Sequence, residues 1–429
     1  MRLEALGCGV SSRPRLWRSA VLLAGSVLSF ACTSEEREET RVDRTANGSS
    51  LDTATLTIEE VNATEMWRAG AIASVRIGGG ADGAFVFGRV RGGVERGDGT
   101  IWIIDDLFHQ IHVFDSTGRH QASWGREGEG PGEFETPLDL VVGETGSIAS
   151  WDPGNRRVDI WADPRENVDD VPFRGITGAV RLESWSARSV SVIFRQADGT
   201  IPRDRHRDTT RFFFLRGHLR NGTLDTIISL PYGEFVRLQH YPRGRGGVIY
   251  PLPFGGSGLG TATPNTLYYT NPTSATVYGY DLTGDPTFET RLELPRSDVS
   301  EADIRRWRAE QRVFFGNNGS EADYFIRVVE DEIGYATSHP FFVRAASDQD
   351  GNGWFLRWSP HGSSSQAWWV FSPTGELVAR LSMSAADALL YAGRNHMLTV
   401  RLDELDRPTV LRLAIDRSGD GYDGSTVRR

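Results

Sequence analysis

The chain contains no lysine, only two cysteines (Cys8 and Cys32), and no apolar run as long as a membrane span in its 429 residues. All 47 basic side chains are therefore Arg, and 57 acidic ones outnumber them for a formal charge of −10. A nucleic-acid binder needs a basic face to displace counterions, so this balance argues against nucleic acid as a partner. Two cysteines cannot make a disulfide framework or a thiolate zinc site. The nine His show neither H-x-x-x-H nor HExxH spacing, and no G-x-S-x-G elbow occurs, so the common signatures of zinc and serine hydrolases are missing. What is abundant is core-forming material: 39% hydrophobic residues, including 21 Phe and 12 Trp. That excludes wholesale disorder. A chain this long exceeds one ordinary core and points to several domains or one large repeat architecture.

Arg2, Arg13, Arg15 and Arg18 precede an apolar stretch, Ala20 to Ala31, that ends at Cys32. A basic region, a short apolar core and a small residue read as a secretory signal over 1–31. A spanning helix needs about 20 apolar residues, which this stretch does not supply. Leu28-Ser29-Phe30-Ala31-Cys32 resembles a bacterial lipoprotein lipobox, which implies a lipidated Cys32. Cys8 would leave with the signal. Residues 32–52, with Glu35, Glu36, Glu38 and Glu39 and no apolar periodicity, then form a disordered tether. Thr33 after the Cys favours the outer membrane, facing the periplasm or cell surface.

The body is repetitive. Asp98-Gly99 opens the run Ile101–Asp105, and the alternating run Gln110–Asp115 ends at Gly118. This is an antiparallel meander. Similar pairs recur at 147–151 with 157–161, 190–195 with 211–215, 266–270 with 276–281, 353–358 with 367–371, and 396–401 with 409–415. The aligned anchors Phe114, Trp161, Phe214, Tyr280, Phe371 and Leu413 lie 42 to 66 residues apart, except for a gap of 91 after Tyr280. That gap holds one short helical insertion near 298–338, opened by Ser300-Glu301-Ala302-Asp303 in capping-box form. Six such meanders predict an all-β chain folded as a six-bladed β-propeller of four-stranded antiparallel blades over 53–416, with a flexible tail at 417–429. The last blade lacks an outer strand of its own. Thr53–Glu59 is expected to pair there and close the ring. A seventh blade drawn from 230–265 is the alternative.

The segments "IHVFDSTGRH" (111–120), "GREGEGPGEF" (125–134) and Pro137, followed later by "WWVFSPTGEL" and "RLDELDRPTVLRLAI", resemble the NHL-like six-bladed propellers of bacterial envelopes. The resemblance covers roughly 53–416. It implies the fold and not a reaction.

Several motifs have a structural reading. Gly125–Phe134 is followed by no helix, so it reads as a crossover between blades and not a phosphate cradle. Gly78–Gly83 satisfies G-x-G-x-x-G, but a strand-like run follows it. Asp348, Asp350 and Asn352, and likewise Asp416, Asp420 and Asp423, resemble half a calcium loop without its closing Glu. Most Trp are expected between blades.

Propellers gather ligands at the axis, at the ends of the inner strands. The candidates for an axial pocket are Asp105, Asp106, His109, Asp152, Arg195, Asn271, Arg357 and Arg401. One reading is a non-catalytic binding or scaffold lipoprotein for a protein, peptide or glycan in the envelope, touching the membrane only through its lipid and needing no cofactor. The other, by analogy of fold with gluconolactonase-like propellers, is a calcium-dependent hydrolase or lactonase with Asp105, Asp152 and Asn271 on an axial metal.

Overall fold

The computed structural model describes residues 51–79, 85–163, 166–176, 179–198, 207–238, 248–316 and 319–417. The signal segment, Cys32, most of the tether, residues 80–83 of the Gly78–Gly83 run, Asp420, Asp423 and the tail beyond Arg417 lie outside them. The described residues all belong to the unit Gly48–Arg429.

Before the first blade come strand β1 (Asp52–Leu56), helix α1 (Ile58–Ala63) and strand β2 (Met66–Gly78). Blade one is β3 (Val90–Glu95), β4 (Ile101–Asp105), β5 (Gln110–Phe114) and β6 (His120–Trp124). Blade two is β7 (Asp139–Val142), β8 (Ile148–Asp152), β9 (Arg157–Asp163) and β10 (Glu166–Pro172). Blade three is β11 (Ala179–Ser186), β12 (Ser191–Asp198), β13 (Arg207–His218), β14 (Thr223–Leu238) and β15 (Val248–Pro251). Blade four is β16 (Leu259–Ala262), β17 (Leu267–Thr270), β18 (Thr276–Tyr280) and β19 (Pro286–Leu292). Helices α2 (Glu301–Phe314) and α3 (Gly319–Glu332) intervene. Blade five is β20 (Phe342–Ser347), β21 (Gly353–Arg357), β22 (Ser365–Phe371) and β23 (Leu377–Ser384). Blade six is β24 (Asp387–Ala392), β25 (His396–Leu402) and β26 (Pro408–Asp416), completed by β2.

The innermost strands β3, β7, β11, β16, β20 and β24 each touch the next, and β24 touches β3, so six blades close a ring. Burial falls from the second strand to the rim. All five residues of Ile101–Asp105 are buried, whereas His120–Trp124 has none buried. A strand covered on both faces reads as a continuous apolar run, which is why the second strands dominate the sequence pattern. Their alternate side chains face opposite neighbours. Ile101 and Ile103 pack with Val75, Leu398 and Val410 of blade six, while Trp102 and Ile104 pack with Leu140, Ile148 and Trp161 of blade two. Equivalent clusters fill the remaining four junctions. Trp102, Trp151, Trp161, Trp354, Trp368 and Trp369 all lie in these clusters, as the sequence led us to expect.

One turn recurs. Asp115 accepts the Thr117 and Arg119 N–H groups, Asp281 those of Thr283 and Asp285, and Ser372 those of Thr374 and Glu376. Gly118, Gly284 and Gly375 close these turns at φ 85°, 90° and 85°. A side chain at Gly118 would strike Val75 of the preceding blade's outer strand at 2.7 Å. Glycine is therefore needed there both for the left-handed backbone and for the approach of the blades.

Three details depart from the sequence reading. The closing strand is β2, antiparallel to β26 from Arg68↔Asp416 to Gly78↔Thr409, and not Thr53–Glu59. That earlier segment is extended only to Leu56, where β1 pairs parallel with β19 and covers the edge of blade four. A capping box between Thr57 and Glu60 then starts a helix. Blades three and four thus carry five strands, and the 230–265 stretch lengthens blade three and joins blade four without forming a seventh blade. The insertion holds two helices, not one. Its Ser300/Asp303 capping box is present as read, and Trp307, Phe325, Ile326 and Val329 pack with Val236 of β14.

Candidate functional site

In every blade the innermost strand begins at the same end of the ring at which the second strand finishes, because the two are antiparallel neighbours. The sequence candidates lie at this mouth, and the structure gives each a specific neighbourhood.

Asp105 is wholly buried. Its Oδ2 accepts the Gly88 N–H at 2.6 Å, and its Oδ1 accepts the Arg89 and Leu107 N–H groups at 2.9 and 3.2 Å. Asp152 repeats the arrangement one blade on. It accepts Glu135 and Thr136 N–H at 2.8 and 2.9 Å, Gly154 N–H at 3.0 Å and Asn155 Nδ2 at 2.9 Å. Each carboxylate pins the entry of an inner strand to the turn after the second strand. The lone pairs of both are already spent on N–H donors. The third oxygen donor proposed for a metal, Asn271 Oδ1, accepts the Thr273 N–H and Oγ1–H at 2.9 and 2.7 Å in a local turn. Among the described residues no group of three or more His, Cys, Asp or Glu converges as a metal site would require.

The remaining candidates are ion pairs or turn residues. Asp106, buried, receives Arg89 Nε at 2.6 Å and Arg91 Nε at 2.8 Å. His109 sits at φ 54° in the turn that follows. Arg195 donates to Glu183 at 2.6 Å, and Arg401 makes a two-pronged contact with buried Asp387 at 2.6 and 2.8 Å. The Arg357 guanidinium lies 3.8 Å over the Phe341 ring and donates to the Phe341 carbonyl at 3.0 Å. Burial, with Arg296 nearby, pushes Arg357 down to about 10. Arg296 itself donates to the carbonyls of Thr273, Pro272 and His339.

Sequence reasoning missed the innermost strands and the charges on them. Asp139 of β7 meets Arg181 of β11 at 2.6 Å and accepts the Leu182 N–H at 2.9 Å, which ties blade two to blade three. Burial raises the Asp139 carboxyl, with Arg181 opposing. Arg91 and Arg344 stand on β3 and β20. These strands are short and rich in Gly and Ala (Gly92, Gly93, Ala345, Ala346), so no apolar run announces them. The available signal, in blades one, three and five, was an Arg set in a short segment just upstream of the detected pair, as in Val180-Arg181-Leu182-Glu183.

The glycine-rich crossover is structural too. Gly125 has φ 96°, and a Cβ there would collide with the buried Phe134 ring. The loop carbonyls of Glu129, Gly130 and Glu133 turn inward onto Arg157. A loop that presents carbonyls to a guanidinium cannot cradle phosphate. Asp348 likewise closes a turn, accepting Asp350 N–H, Asn352 N–H and Trp354 Nε1, while Asp350 pairs with Arg394.

The mouth therefore presents guanidinium groups, with its carboxylates engaged. This chain is similar to a known family over its first blade. Residues 87–157, spanning blade one and the start of blade two, match the DUF5128 family, a 6-bladed beta-propeller. No curated protein matches the chain. Among solved structures, a candidate exported protein from Bacteroides fragilis is 12% identical, with 86% of this chain and 100% of that one covered and a TM-score of 0.43. A member of the DUF4221 family from Bacteroides vulgatus is 10% identical, with 83% and 99% covered and a TM-score of 0.45. The calcium-binding protein regucalcin from Agrobacterium tumefaciens is 11% identical, with 80% and 97% covered and a TM-score of 0.36.

Proposed function

We propose that the chain is an exported, lipid-anchored β-propeller of the NHL-like type that binds or scaffolds a protein, peptide or glycan of the bacterial envelope without catalysing a reaction on it. The signal-like segment ending at Cys32 and the NHL-like motifs support the placement. The observation that carries the binding role is the state of the mouth carboxylates. Asp105 and Asp152 are filled by N–H donors, and Asp106, Asp139 and Asp387 are held by Arg side chains. A calcium ion needs six to eight oxygen ligands, and these oxygens are aimed at hydrogen-bond donors instead. The acidic net charge keeps nucleic acid out of the list of partners.

The test is the metal content of the purified full chain, together with melting curves with and without chelator. The expected result is no stoichiometric calcium and no shift on chelation, after which crosslinking in the envelope identifies the partner. Stoichiometric calcium with a large chelator-induced fall in melting temperature would reverse the reading in favour of a metal-dependent hydrolase.

A further inference from the structure

Charge at the mouth does not balance. Around the meeting of β7 and β11, Arg181 engages Asp139 through Nη2 at 2.6 Å, and Arg195 engages Glu183 at 2.6 Å. Those two cations have their two anions. Arg344 of β20 has none: among the described residues no carboxylate lies within ion-pair distance of it. Its Nη2 lies 3.5 Å from the Leu389 carbonyl of β24, at the outer limit for a hydrogen bond, and its guanidinium stands 6.0 Å from the Trp368 ring. Arg344 is exposed to solvent although it stands on an innermost strand, so the space it opens to is the ring's interior. Crowding by the surrounding protein holds the Arg344 guanidinium below its usual range, and the like charge of Arg181 from blade three adds to the effect.

A guanidinium crowded by protein, repelled by a neighbour and left without a counter-ion gains from any oxyanion that reaches it. Its planar fork matches a carboxylate or phosphate bidentately, which a compact ammonium cannot do. Other mouth guanidiniums are answered within the fold: Arg89 and Arg91 by Asp106, Arg401 by Asp387, and Arg357 by the Phe341 ring and carbonyl. We propose that Arg344 is an oxyanion-binding site in the interior of the ring that takes a single carboxylate or phosphate group of the ligand. Arg344 brings one positive charge with no carboxylate opposing it among the described residues, and one such group neutralises it. This rests on the binding reading above and names the chemistry that the bound partner must carry.

The experiment is calorimetric titration of the full chain with propionate and, separately, with inorganic phosphate at constant ionic strength. It uses the wild type, Arg344→Gln, Arg344→Lys and Arg119→Gln, an exposed-turn control with the same change in net charge. At least one anion binds saturably to the wild type and to Arg119→Gln. Affinity falls at least tenfold in Arg344→Gln and by less in Arg344→Lys. Because no ion pair is broken, Arg344→Gln melts no lower than the wild type in anion-free buffer, which separates lost binding from lost folding. The two anions distinguish a carboxylate from a phosphate ligand. Absence of saturable binding by either anion, or binding undiminished in Arg344→Gln, overturns the site. Neither result bears on metal content, so failure here and failure of the binding-module reading are told apart.

Discussion

Replacing Asp105 by Ala measures what the buried carboxylate does. The substitution removes the acceptor for the N–H groups of Gly88, Arg89 and Leu107 and leaves them without a partner inside the fold. An N–H deprived of its partner costs about 1–3 kcal/mol when water cannot replace it. The entry segment at Gly88 and Arg89 is partly open, so some rehydration brings the total to about 4 kcal/mol. With an unfolding entropy of about 2.1 cal/mol/K per residue, a propeller of about 360 residues loses about 1.3 °C for each kcal/mol, and the melting temperature should fall by about 5 °C. The adjacent Asp106 gives an internal control. It too is buried, but its partners are the guanidiniums of Arg89 and Arg91, whose side chains are 54% and 41% exposed and hydrate readily when released. Asp106→Ala should cost about 1 kcal/mol. Differential scanning calorimetry of the two variants decides the matter. If Asp105→Ala melts within a degree of the wild type, or Asp106→Ala is the more damaging of the two, the carboxylate is not the pin described here.

Other outcomes follow from the same structure. Burial lowers His112 to about 4. Its folded value lies below the unfolded one, near 6.5, so the stability contributed by the neutral ring is present above pH 6.5 and is lost as pH falls towards 4. The full loss is about 3 kcal/mol, and a His112→Asn variant should show a flatter dependence of melting temperature on pH across that window. Phe134→Ala, which empties the space beneath Gly125, should cost about 3–5 kcal/mol by denaturant unfolding. Removing the chain up to Leu56 strips only an edge strand from blade four. Removing it up to Gly78 leaves the outer edge of β26 unpaired, so the first truncation should remain monomeric and the second should aggregate in light scattering.

The sequence announced the second and third strands of each blade because they are covered on both sides. Ile101–Ile104 and Trp368–Phe371 cannot alternate with polar residues when both faces meet a neighbouring blade. The innermost strands were silent for the opposite reason: they border the ring's interior, so Gly, Ala and isolated Arg suit them. The closing strand was hidden as well. Met66–Gly78 is rich in small residues, and a bulge-ridden register against β26 blurs its alternation. The cleaner alternation of Thr53–Leu56 belongs to an exposed edge. At the site, Asp105 and Asp152 were expected at the ends of inner strands and end second strands instead, and sequence cannot show where a carboxylate spends its lone pairs. Backbone N–H groups 16 and 17 residues upstream claimed them. Arg344 was invisible because its importance lies in a missing neighbour.

The order of the first two strands also has a mechanical consequence. If the N-terminus is fixed to a membrane, any pull on the protein enters along the chain and meets β1 first. That strand is five residues long, largely exposed, and held by its parallel pairing with blade four. Only after it peels away, and α1 after it, does the load reach β2, which holds the ring shut along eleven positions of the chain between Arg68 and Gly78. The short outer strand would then work as a strain relief, yielding ahead of the clasp and sparing the mouth from distortion.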